Sequence, residues 1–222
     1  MEDMKREIIS AFKRREATKE FISNKKIADE DFKVILEAGR LSPSSFGWEP
    51  WEFLVVQNTD LRMKLKDVSW GAQRQLPSAS HFVIILGRRG SQMKPGSEYL
   101  HHIAHDINKI PEDIETKKVD AFGKFEINDF HLDTDERIFS WVGKQAYIAL
   151  ANMMTAAALL GIDSCPMEGF NIDMVEKILS DEGLLDIEKF GVVAMVAFGY
   201  RKENLPYKKS RRPVDEVIKW VK

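Results

Sequence analysis

Apolar positions along the chain fall into two spacings. Three short runs, Trp51 to Gln57, His81 to Gly87 and Gly191 to Tyr200, are rich in β-branched and aromatic residues and bounded by turn formers. They predict buried strands of a single sheet. Between them the spacing lengthens to that of helices. Over Asp29 to Arg40, the residues Phe32, Ile35, Leu36 and Gly39 share one face, with Asp29 as the predicted cap and Leu41-Ser42-Pro43 as the stop. From Thr134 to Leu160, Ile138, Trp141, Val142, Ala146, Ile148, Ala149, Met153 and Ala156 to Ala158 are apolar around most of the circumference. Such a helix belongs in a thick core or at a subunit interface. Shorter helices are predicted at Asn171 to Leu179 and, after Pro213, at Val214 to Val221. The stretch from about 88 to 133 is polar and weakly periodic, with Pro95-Gly96 and Pro111, and reads as a mobile excursion over the surface. Single strands alternating with helices predict one layered α/β or α+β domain over 1–222.

Composition narrows the function. The chain has 222 residues, 44% of them hydrophobic, and 33 basic against 35 acidic side chains leave a formal charge of −2. A general nucleic-acid binder carries a basic excess, so nucleic acid is not an expected partner. The longest unbroken apolar run, Val192 to Phe198, is far shorter than the ~18 residues that span a bilayer. The charged start leads into an amphipathic stretch without the apolar core of a secretory signal, and the expected location is cytoplasmic, away from membranes. The single cysteine, Cys165, excludes a disulfide framework and a multi-cysteine metal site.

The glycine pattern of a dinucleotide fold and the Walker-type phosphate loop are both absent. A phosphate would instead need converging cations. Two basic clusters qualify, Arg14, Arg15 and Lys19 near the start and Lys208, Lys209, Arg211 and Arg212 near the end, although by composition alone a solvated face is the favoured reading of each. His101 and His105 stand four apart but lack the glutamate of the zinc-protease motif, so surface histidines are expected and no metal. Cys165 reads as a small buried residue, and Ser44 and Ser45 do not lie in a hydrolase elbow.

Four stretches in order carry more than any one of them. Arg15-Glu-Ala-Thr-Lys19-Glu-Phe21, Leu41-Ser-Pro-Ser-Ser-Phe-Gly-Trp-Glu-Pro-Trp51, Pro166-Met-Glu-Gly-Phe170 and Lys209-Ser-Arg211 together resemble the nitroreductase family of flavin mononucleotide (FMN) enzymes over nearly the whole chain. Ser69-Trp-Gly-Ala-Gln-Arg-Gln75 and Ala79-Ser-His81 place the resemblance in the bacterial NAD(P)H-dependent nitro- and quinone-reductase branch.

That resemblance implies an α+β, three-layer α-β-α fold. Its mostly antiparallel central sheet is flanked by helices, and an intertwined homodimer exchanges C-terminal segments. It implies FMN between the subunits and NADH or NADPH as co-substrate. Arg15, Lys209 and Arg211 would hold the phosphate, with Glu16 and Ala17 beside it. Lys19 would sit near flavin N1, where reduced flavin gathers negative charge. Ser44 and Ser45 would line the cofactor, as would Gln73 and Gln75. Pro166, Met167, Glu168 and Gly169 would present backbone to the ring, with an amide near Glu168 and Gly169 donating to N5. No catalytic side chain is expected, since the chemistry is at the flavin. The expected activity is hydride transfer from NAD(P)H to nitroaromatic or quinone acceptors by a ping-pong scheme. Reductive dehalogenation, flavin destruction and a flavin-free dimeric binding protein are the alternatives on the same scaffold. The chain departs from the family pattern at Ala17, Gly47, Gln73 and Gln75, and the neutral glutamines leave the choice between NADH and NADPH open.

Overall fold

The computed structural model describes residues 2–207 and 209–222; Lys208 of the second basic cluster lies outside them. In chain order the helices are α1 (Glu2–Arg14), α2 (Asp29–Arg40), α3 (Thr59–Asp67), α4 (Gln75–Ser78), α5 (Gly90–Met93), α6 (Glu98–His101), α7 (Glu112–Lys124), α8 (Asp135–Leu159), α9 (Ile172–Asp181) and α10 (Val214–Val217). The strands are β1 (Trp51–Val55), β2 (His81–Arg88), β3 (Asp163–Met167) and β4 (Phe190–Gly199). They form one antiparallel sheet in the order β1-β2-β4-β3.

Alternation along the two central strands builds the layers. Phe82, Ile84 and Leu86 of β2, with Met195 and Ala197 of β4, pack on one side against Leu61 and Leu65 of α3, Leu76 of α4 and Val175 and Leu179 of α9. Val83 and Ile85, with Ala194, Val196 and Phe198, pack on the other side against Phe32 and Ile35 of α2 and Ala146, Leu150 and Met153 of α8. A bulge between Ile85 and Leu86 absorbs one residue of β4, so Val192 joins the same side as Met195. The fold is therefore the expected α+β arrangement, with helices on both faces of an antiparallel sheet.

Three details differ from the sequence-based expectation. Ala28, not Asp29, is the N-cap of α2, and no side chain caps it; Asp29 stands in the first turn, where its charge favours the helix dipole. Strand β3 was not foreseen, because Pro166 interrupts its pattern. It is an edge strand, the place where a sheet tolerates a residue without an N–H. The last helix is a single turn, Val214–Val217, after which Ile218 is extended; its apolar side chains are exposed, with none of the described residues covering them.

The 88–133 excursion is mostly helical, continued by π turns at His102–Ile107 and Phe125–Asp129, and it has a core of its own. Met93, Leu100, Ile103, Ala104, Phe122 and Leu132 pack with Trp48 and with Ile138, Trp141 and Val142 from the start of α8. α5 and α6 are single turns, and the longer α7 buries only Glu115 and Phe122, so no clear period shows although together they bury a cluster. His101 stacks on His105 at 5.0 Å and its Nδ1 lies 2.6 Å from Glu115 Oε1, which ties α6 to α7. Among the described residues no group of three or more His, Cys, Asp or Glu side chains is arranged to hold a metal ion. None of their helices is long and apolar enough to cross a membrane.

Glu126 stands in this second core at 3% exposure, and its Oε1 has no hydrogen-bond partner among the described residues. Burial pushes its carboxyl up to about 7, against a slight opposing effect of Lys94. The folded chain therefore favours the neutral acid. Stability from this group is full below the ordinary carboxylate range and is lost as pH rises towards 7. Glu126→Gln is expected to gain about 2 kcal/mol more relative to the parent at pH 8 than at pH 5, measured by denaturant unfolding. A pH-independent difference would contradict this assignment.

Candidate functional site

Backbone pairing brings the early basic stretch to the end of the sheet. Ala17 bridges to Ser164 of β3, and the Thr18 amide donates to the Ser164 carbonyl at 3.3 Å. Phe21 bridges to Arg201, just beyond β4, and the Ile22 amide donates to Tyr200 at 2.8 Å. The 15–19 stretch thus lies against β3, whose end carries Pro166-Met167-Glu168-Gly169.

The chain end returns to the same place. Lys209 Nζ donates to the Arg15 carbonyl at 2.6 Å and also to that of Phe12. Arg15, Glu16, Ala17, Leu205, Tyr207, Lys209, Ser210 and Arg211 line a cleft of about 290 Å³. Its one acid is already engaged: Glu16 Oε1 lies 2.6 Å from Arg201 Nη1 and also accepts from the Leu205 amide. Arg201 further clamps Asp163 through Nε at 2.9 Å and Nη2 at 2.5 Å, and donates to the Arg14 carbonyl at 2.9 Å. The cleft is left with three cations. Partial burial first, and then Arg15 and Arg211, hold the Lys209 ammonium below its ordinary range. An anion there would relieve both effects.

Lys19 lines an adjoining cleft with Glu20, Arg74, Lys202 and Leu205. It stands close enough to Cys165 to draw that thiol down, as Arg15 does, although burial dominates and pushes the thiol up. Cys165 is a buried core residue, as expected.

The Glu168-Gly169 turn has its carbonyls occupied and its amides free. Gly71 N–H donates to Gly169 O at 2.6 Å and Phe170 N–H to Glu168 O at 2.9 Å, while neither the Glu168 nor the Gly169 amide donates to any described residue. Glycine is required here, because a Cβ on Gly169 would lie 2.8 Å from Gly71 Cα. Trp70, 79% exposed, leans over the same pair. Gln75 is buried beside the site, with Nε2 at 3.4 Å from the Thr18 carbonyl and 3.6 Å from Cys165 Sγ. Gln73 is not drawn in: its amide donates to the Lys66 and Ser69 carbonyls at the end of α3, at 2.6 and 3.0 Å.

Ser44 and Ser45 form a separate corner. Ser44 Oγ accepts from the Glu49 amide at 2.8 Å, and the Ser45 amide donates to Gln145 Oε1 of α8 at 2.9 Å. Neither is hydrogen-bonded to the other three stretches among the described residues. Phe46 and Gly47 follow in left-handed conformations, φ 58° and 65°, and Phe46 packs on Phe122 and Phe125 of the excursion. The glycine at 47 thus meets a backbone requirement. Sequence reasoning missed Arg201 and Asp163, which carry no motif, and Tyr147, whose phenol donates to Glu168 Oε1.

The model of the nitroreductase family matches residues 12–200. The chain belongs to the nitroreductase family. It is 50% identical, over the full length of both, to the Bacillus subtilis (strain 168) protein called "Putative NAD(P)H nitroreductase YfkO". The crystal structure of the B. subtilis nitroreductase-type protein ydfN superposes with a TM-score of 0.79 at 25% identity, covering 98% of this chain and all of that one. A nitroreductase-type protein from Exiguobacterium sibiricum, solved in complex with FMN, shares the fold at TM-score 0.75 and 19% identity, with 96% of this chain and 97% of that one covered.

Within this nitroreductase-family chain, Arg201 ties three segments together from a largely buried position. Replacing it with leucine leaves Asp163 and Glu16 without their main partner, and the unfolding free energy is expected to fall by about 2–3 kcal/mol in denaturant titration. A loss well under ~1 kcal/mol would show that the pairing is only a surface contact.

Proposed function

We propose that the chain is an FMN-dependent oxidoreductase that takes hydride from NAD(P)H and reduces flat electrophilic acceptors, nitroaromatics and quinones. The observation that carries this reading is the cleft in which Arg15, Lys209 and Arg211 gather without a neutralising acid. A ribityl phosphate is dianionic, and arginine forks answer its oxygens with charge-assisted hydrogen bonds. The free Glu168 and Gly169 amides one strand-end away are a second match, since they suit the polar edge of a flavin ring. The relatives support the same reading, one by its NAD(P)H nitroreductase name and one by its FMN complex.

When bound, FMN supplies hydride acceptance and donation at N5, so no acid–base triad is needed from the protein. The chain's residues bind and orient. Arg15, Lys209 and Arg211 hold the phosphate, with Glu16 and Ala17 forming the wall beside it. Lys19 places a positive charge where the reduced ring is most negative. Pro166 and Met167 end the edge strand and deliver the Glu168 and Gly169 amides, and Gln75 braces the early stretch from behind.

In this reading the enzyme is a homodimer. Val214, Val217, Ile218, Trp220 and Val221 of the tail, and Ile148 and Leu159 of α8, are exposed apolar side chains suited to an exchanged tail and a shared helix face. The Ser44–Ser45 corner then serves the partner's cofactor, which accounts for its separation from the phosphate cleft. One open slot for nicotinamide and acceptor in turn gives ping-pong kinetics, and the excursion's Phe125 and Phe130 wall that slot.

The purified protein is expected to be yellow and to bleach anaerobically with NADH or NADPH. Arg211→Ala is expected to weaken FMN binding about tenfold or more in a fluorescence titration, with the apoprotein's unfolding unchanged. A colourless protein that takes up no FMN would refute the proposal, and unchanged affinity in the variant would refute the place given to Arg211.

A further inference from the structure

Tyr147 belongs to no stretch that carries the family resemblance, yet it reaches the Glu168-Gly169 turn. It projects from α8, and its phenol donates to Glu168 Oε1. That turn is already held on its other side by the Gly71 amide on the Gly169 carbonyl and within itself by the Phe170 amide on the Glu168 carbonyl. The backbone carbonyls are therefore fixed and the amides free. Glu168 itself is exposed, and its side chain gives the turn a third tether, on the α8 side. A phenol-to-carboxylate hydrogen bond is charge-assisted, so this tether limits how far the peptide planes of the turn can rock. Burial, followed by the adjacent Glu168 carboxylate, pushes the Tyr147 phenol far above its ordinary range, so it stays an O–H donor at any working pH.

The anchor itself is rigid. Two residues earlier on α8, Gln145 holds the Ser45 amide at 2.9 Å. Two residues correspond to about 200° around a helix, so one turn of α8 grips the serine corner on one side and the Glu168 turn on the other.

We propose that Tyr147 is a positioning residue that, through the Glu168 carboxylate, fixes the Glu168 and Gly169 amides in the orientation that receives the flavin's polar edge. This rests on the FMN reading above. The test uses the full-length protein and compares Tyr147→Phe, Glu168→Ala, Glu168→Gln and the double variant Tyr147→Phe/Glu168→Ala. Tyr147→Phe is expected to leave FMN affinity within about twofold of the parent, because the phosphate cleft is untouched. It should displace the visible absorption band of bound FMN, which responds to hydrogen bonding at the ring edge. It should also slow anaerobic reduction by NADPH about tenfold, the effect of losing one charge-assisted positioning contact. Glu168→Ala should reproduce the spectrum, the double variant should add nothing, and Glu168→Gln, whose amide oxygen still accepts, should keep the parent's band. A Tyr147→Phe protein with the parent's spectrum and rate, or full additivity in the double variant, would overturn the proposal while leaving the FMN reading intact. A parent that takes up no FMN would overturn the FMN reading and this proposal with it.

Discussion

Three like charges held together in one small cleft constrain everything else in this structure. Arg15 follows α1, whereas Lys209 and Arg211 come from the last fourteen residues, and their mutual repulsion opposes the approach. Arg201 offsets it. Its guanidinium binds Asp163 at the start of β3, Glu16 beside Arg15 and the carbonyl of Arg14, so the early stretch, the edge strand and the outgoing tail share one anchor. A pairing this poorly exposed favours one arrangement, because without the guanidinium Glu16 would keep only the Leu205 amide, and Asp163 only the Arg201 amide and the more distant Arg14. The acid nearest the cleft is thereby occupied, and the cleft keeps its positive character.

Helix α8 does for the loops what Arg201 does for the termini. Its buried side closes one face of the sheet, its first turns carry the core of the excursion, and Gln145, Tyr147 and Asn152 hold three separate loop positions, at Ser45, Glu168 and Ser42. One helix thus holds three loop positions in fixed relation to the sheet, the kind of support that a preorganised site needs.

Much of this was legible in the chain itself. The apolar runs in His81 to Gly87 and Gly191 to Tyr200 give the two central strands because both are buried on both faces and rich in β-branched residues. Thr134 to Leu160 gives α8 nearly to the residue, since Thr134 caps it as its type suggests. Edge strand β3 was hidden, being short and carrying a proline, and the excursion's core was hidden because its apolar residues are spread over several short helices. For the site, the order of the motifs pointed to the early arginine and the late lysine and arginine, which line one cleft, whereas the amide of Gln73, expected to line the cofactor, donates to carbonyls at the end of α3. Arg201, Asp163 and Tyr147 had no local signal at all. Their importance lies in what the fold brings beside them.

In the proposed reading, the two ends of the chain build a phosphate site. The most direct measurement compares the affinities of the apoprotein for FMN and for riboflavin, which share the ring and ribityl chain and differ only in the phosphate. Loss of a dianion facing three cations predicts binding of riboflavin weaker by about 100-fold or more, with the gap narrowing as salt is raised. Equal affinity for the two, insensitive to salt, would contradict it.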